Sequence, residues 1–131
     1  MLELTTDFGT ITVSKNVISR IISEAVDEFE GEVHLTNRKG KPLKLKNESG
    51  FVENSSAMDI KLSGDGIYIR FFVLMKIGMS ISAVTNRMFD YITEEILATT
   101  GMTPAEMAIV ITGMYTKEIK NVGKRNIEVK R

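Results

Sequence analysis

The segment Ile67–Ile77, IYIRFFVLMKI, most constrains what this chain can fold into. Successive side chains of a strand point to opposite faces. One face then carries Ile67, Ile69, Phe71, Val73, Met75 and Ile77, all apolar. The other carries Tyr68, Arg70, Phe72, Leu74 and Lys76. The first is a core face. The second is apolar in its middle and charged near its ends. That predicts a central strand covered in part on its second side, by a loop or by a second subunit. Arg70 and Lys76 interrupt the run, and it falls far short of the roughly 20 residues a spanning helix needs.

Two amphipathic helices supply cover for the first face. Val17, Ile18, Ile21, Ile22, Ala25 and Phe29 recur at three- and four-residue steps, one apolar stripe of a helix. Ser14 is placed to cap it and Gly31 to close it, which predicts a helix over Lys15–Glu30. Ile81, Val84, Met88, Tyr91, Ile92, Ile96 and Leu97 form a second stripe between a capping Ser80 and a closing Gly101.

Shorter strands fill the rest. Phe8–Val13, Glu32–Thr36, Ala57–Leu62 and Met107–Tyr115 have strand composition. Ser63–Gly66 reads as a hairpin turn before the long strand. Leu43 and Leu45 alternate with lysines and suggest a short edge strand, whereas 47–56 reads as a loop. The order is β-α-β-β-β-α-β. Two helices with one apolar stripe each suit one face of a mixed sheet, so the expected class is α+β, a two-layer sandwich. At 131 residues the chain is long enough for one self-sufficient core. Residues 1–116 form the expected domain. Residues 117–131 hold six basic and two acidic side chains and read as a loosely docked tail.

Charge excludes some functions and leaves others open. The 17 basic residues balance the 17 acidic ones, so the chain is not a globally basic nucleic-acid binder. No cysteine is present, which removes disulfides, thiolate nucleophiles and cysteine metal sites. Gly40-Lys41 and Gly123-Lys124 lack the rest of a phosphate-binding loop, and Gly64 and Gly66 precede a strand rather than a helix. Ser80 lacks the second glycine of a nucleophile elbow and reads as a cap. His34 is the lone histidine, beside Asp27, Glu28, Glu30 and Glu32; one imidazole without a second at a fixed step is poor metal spacing. No catalytic set, cofactor or metal site is expected. The candidate contacts are cationic: Arg38, Lys39, Lys41, Lys44 and Lys46 in the middle, and Lys124, Arg125, Lys130 and Arg131 in the tail. No aromatic residue interleaves them and no two glycines stand three apart, so base stacking and a backbone-clamping RNA loop are unsupported. Of the eight methionines, Met75, Met88 and Met107 fit core faces, and Met79, Met102 and Met114 sit at element ends.

Two blocks carry a resemblance. The first is Gly9-Thr10-Ile11-Thr12-Val13-Ser14 followed by Val17-Ile18, Ile21-Ile22, Ala25 and Glu30-Gly31. The second is Lys76-Ile77-Gly78-Met79-Ser80-Ile81, then Val84, Met88, Ile92, Ile96 and Thr100-Gly101, followed by an alternating apolar strand. In order and spacing they resemble the alkaline shock protein family of Gram-positive bacteria, associated with the cell-envelope stress response. The middle, 37–62, departs from the pattern by being longer and more basic.

The resemblance implies a small cytoplasmic, non-enzymatic protein. Its implied partners are proteins, such as a membrane anchor or a lipid-metabolism protein, and it is compatible with a homo-oligomer held at the inner membrane face through a partner. The matched glycines and serines then turn and cap rather than react. The expected function is an interaction or scaffold role. One alternative is a peripheral binder of anionic lipid or RNA through the basic loop and tail. Another is a small ligand carrier or enzyme with a pocket no motif reveals.

Overall fold

The computed structural model of the chain describes residues 2–6, 8–116 and 126–131. Strands β1 (Leu2–Thr6) and β2 (Gly9–Val13) form an antiparallel hairpin that leads into helix α1 (Lys15–Asp27). Then follow β3 (Val33–Thr36), the two-residue strands β4 (Lys46–Asn47) and β5 (Gly50–Phe51), a 3-10 turn at Ser55–Ala57, and β6 (Asp59–Ser63). The main sheet closes with β7 (Gly66–Lys76), helix α2 (Ile81–Thr100), β8 (Pro104–Tyr115) and β9 (Ile127–Lys130).

The long alternating segment is the sheet's axis. β7 pairs in parallel with β8, and antiparallel with β3 and β6 on its other side. β9 pairs antiparallel with β8. The core face Ile67, Ile69, Phe71, Val73 and Met75 is buried, together with Ile18, Ile22, Val84, Met88, Ile92 and Ile96 from the helices. Burying one such side chain stabilises by roughly 1.5–3 kcal/mol. The two-layer α+β sandwich therefore stands.

The caps lie where the serines predict. Ser14 Oγ accepts from Val17 N at 3.3 Å and Ser80 Oγ from Ala83 N at 3.3 Å, each satisfying an amide of a first turn that has no helical partner. α2 stops at Gly101, whose N–H reaches Leu97 O at 2.9 Å. α1 ends earlier than the stripe suggests. After Asp27 the chain tightens into i→i−3 turns, Phe29 N to Val26 O and Glu30 N to Asp27 O, which still bury Phe29 against the core.

β3 and β6 are two halves of one edge strand. Thr36 is opposite Phe72 and Asp59 is opposite Arg70, so only Phe71 of β7 lies between the two registers. The 22 residues 37–58 are thus an excursion out of a single strand position.

Two expectations need correction, and one strand lies where the pattern predicts no element. No strand forms at Leu43–Leu45; these leucines pack partly buried against the core, and the local hairpin is instead β4–β5. Leu2–Thr6, where the residue pattern predicts no element, forms strand β1. Ile127–Lys130, expected in a loose tail, is the edge strand β9, with Ile127 and Val129 packed on the core. The rest of the expected tail, 117–125, lies outside the described residues.

Candidate functional site

The predicted cations do not converge. The structure distributes them over the excursion, the outer sheet face and α2. Arg38 forms an ion pair with Asp59, donates to Ser56 O at 3.2 Å and lies 5.8 Å over the Phe72 ring. It covers the apolar middle of the sheet's second face and ties the two ends of the excursion. Lys46 reaches the other layer, 2.9 Å from Asp27 of α1, and that carboxylate holds its ammonium pKa above the usual lysine value. Lys130 sits between Glu106 and Glu128, with Glu106 the larger influence raising its pKa. Arg131 binds Asp90 at 2.6 Å and stacks 5.1 Å over Phe89. Lys124 and Arg125 lie outside the described residues. Lys39, Lys41 and Lys44 remain exposed and make no ion pair among the described residues.

Those three lysines stand on a tightly tied loop. Asn37 Oδ1 accepts from Lys39 N at 2.9 Å and from Lys41 N at 3.0 Å. Asn37 also exchanges backbone bonds with Lys41 O and Gly40 N. The amides of Lys39, Gly40 and Lys41 are therefore used within the loop. Gly40 makes the fold-over feasible. Its φ is +84°, and a Cβ would lie 3.3 Å from Thr112 Oγ1 on the outer sheet face. Thr112 itself donates to Val73 O at 3.1 Å, beside the register shift of β7 and β8, and lies 3.4 Å from Thr36 Oγ1.

The second face of β7 is closed by this chain's own groups. Phe72 and Leu74 are buried, and Arg38 stacks on the former. Near Leu74, His34 packs on Tyr115 with ring centroids 5.1 Å apart, and the Tyr115 hydroxyl donates to Gly31 O at 2.8 Å. Burial pushes the His34 pKa down. No three histidine, aspartate or glutamate residues cluster to hold a metal ion among the described residues. A shallow depression of about 280 Å³ opens over Ala108, rimmed by Asp59, Arg70, Glu106 and Lys130. Arg70 pairs with Glu128 across it, so the rim charges largely answer one another.

A second concavity lies on the helical layer, which the sequence reading did not single out. It is an open groove of about 410 Å³ between the start of α1, the last turns of α2 and residues 51–53. Val17, 38% exposed, together with Ile21, Phe51 and Val52, gives it apolar walls. Its carboxylates are Glu24, Glu53 and Glu95, against the single guanidinium of Arg20. Phe51 is held in place by cations, Arg20 at 4.5 Å and Lys46 at 5.6 Å from the ring centre. The available signal was an isolated aromatic residue in an otherwise polar loop.

This is a small α+β sandwich with two helices on one face, a self-covered second face, and its open concavities shallow and ionic at the rim. No helix among the described residues is long and apolar enough to cross a membrane. The chain belongs to the alkaline shock protein 23 family, described as having a cell envelope-related function; the family model matches residues 3–116. No curated protein and no solved structure matches the chain.

Proposed function

We propose that the protein is a non-enzymatic interaction protein of the cell envelope, recruited by protein partners and acting in the envelope stress response of a Gram-positive bacterium. The observation that carries this reading is surface charge left without an internal partner among the described residues. Lys39, Lys41 and Lys44 stand on the excursion with no acidic partner among the described residues. The helical groove collects carboxylates around apolar walls. Complementary charge steers and selects partners more than it adds affinity. The family's envelope-related description supports the location. Cross-linking in the native cell followed by fractionation and mass spectrometry tests it. The expected result is cross-links from Lys39, Lys41 or Lys44 to envelope proteins. A chain that stays alone and outside the envelope fraction rejects the reading.

A further inference from the structure

We infer that the groove on the helical layer is a docking site for a basic amphipathic helical segment of a partner protein. This rests on the interaction reading and names the partner chemistry of one face.

The groove mixes apolar Val17, Phe51 and Val52 with polar Asn16, Ser19 and Thr99. An amphipathic helix lays its apolar side into an apolar-lined groove and leaves its polar side to the rim. Val17 supplies an apolar surface that is 38% exposed at the first turn of α1, and Val52 faces it from the excursion. The rim selects charge. Glu24 is already engaged by Arg20 at 3.1 Å and by the Tyr91 hydroxyl at 3.0 Å. Among the described residues, Glu53 accepts only from the backbone N of Ser55. Glu95 makes no hydrogen bond or ion pair among the described residues. Neither Glu53 nor Glu95 thus has a cationic partner among the described residues. The nearby Tyr91 reports the same field: burial and then Glu24, Glu95 and Glu28 keep its hydroxyl protonated. Lysines or arginines on an incoming segment complement that rim, whereas an acidic segment is repelled.

The excursion builds one wall. Phe51, Val52 and Glu53 all belong to residues 37–58, the stretch that interrupts the edge strand. The sandwich alone supplies only the helical side. The groove is therefore a product of the chain's longer middle.

The test uses the full chain and a synthetic helical peptide of about twelve residues, with leucines at i, i+3, i+4 and i+7 and lysines elsewhere. Binding is measured by fluorescence anisotropy at two salt concentrations. The peptide is expected to bind, and to bind more weakly at high salt, since rim charges are screened. Glu95→Lys and Val17→Asp are each expected to weaken it about tenfold. Lys61→Glu, exposed at the depression on the outer sheet face, is expected to leave it within about twofold. Circular dichroism and thermal melts confirm that each variant is folded.

Three results overturn the inference: no binding, equal binding by a peptide with glutamate in place of lysine, or an unchanged Glu95→Lys variant. A dimer that Val17→Asp disperses and the peptide does not also overturns it, because a second copy then owns the groove. Envelope cross-links without peptide binding reject the groove alone. Peptide binding without envelope cross-links rejects the broader reading alone.

Discussion

Arg38 and Asp59, 21 residues apart in sequence, pair side chain to side chain across the neck of the excursion that interrupts the edge strand. Arg38 lies two residues after the end of β3, and Asp59 is the first residue of β6. The pair therefore fastens the departing chain to the returning one. Both side chains are substantially exposed, 49% and 41%, so solvent screening keeps the ion pair itself near 0.2–1 kcal/mol by order of magnitude. Arg38→Ala also uncovers Phe72 and frees Ser56 O. The expected loss is about 1–2 kcal/mol in urea unfolding, with faster proteolysis within 39–57. Unchanged stability and unchanged cleavage count against the fastening role.

Removing residues 37–57 joins Thr36 to Met58. That puts Met58, buried against the core, opposite Phe71, in the one vacant register position. The shortened chain is expected to fold cooperatively with an uninterrupted edge strand. It loses the packing of Leu43, Leu45 and Phe51, so it should be less stable by about 2–4 kcal/mol. A two-state thermal melt checks this. A molten product shows instead that β3 and β6 need the excursion to find their registers.

Gly66→Ala is expected to destabilise by about 2–3 kcal/mol. The residue has φ +129°, and a Cβ there would lie 2.8 Å from the backbone oxygen of Thr103. Both strain and a backbone clash oppose it, and neither neighbour is a flexible side-chain end. Chemical denaturation of the variant reads the loss. A wild-type midpoint contradicts the close approach of the starts of β7 and β8.

Tyr91 and Tyr115 contribute to alkaline stability beside the ion-paired Lys46 and Lys130. The Tyr91 pKa is pushed up to about 12, first by burial and then by its hydrogen bond to Glu24, and that of Tyr115 is also raised by burial. An acid whose folded pKa exceeds its unfolded value of about 10 stabilises fully below that value. Stability is then lost as pH climbs from about 10 toward 12. Melting temperatures across this range are expected to fall less steeply in Tyr91→Phe than in the wild type, and tyrosinate absorbance should lag behind that of free tyrosine.

On the acid side, His34 contributes. Burial lowers the His34 pKa, so the unfolded chain binds a proton there more readily than the folded one. Its contribution to stability is present above about pH 6.5 and declines as pH falls below that. The lone imidazole is readable by proton NMR. A titration midpoint at or above the free value contradicts its packing against Tyr115.

What the sequence disclosed was local periodicity. The two faces of β7, the helical stripes and the serine caps follow from spacing along the chain, and the structure retains them. What it withheld was pairing. Nothing near Thr36 states that the strand resumes at Asp59, because register is fixed by β7. Lys46 reads as one of five clustered cations, yet its partner is Asp27 on another element. Ile127–Lys130 alternates apolar and charged residues and looks like a charged tail until β8 offers it an edge. The groove was hidden for the same reason: Val17, Phe51 and Glu95 meet only in space.

The place of β9 bears on how the protein is made. β8 presents Ala108–Ile111, all buried in the finished fold, and its outer partner is Ile127–Lys130. Every other strand and both helices among the described residues precede it, so a ribosome completes them before that partner emerges. For that interval the nascent chain carries a bare apolar ladder ready to recruit a neighbour. Stalled products that stop short of Ile127 should therefore be the first to need chaperones.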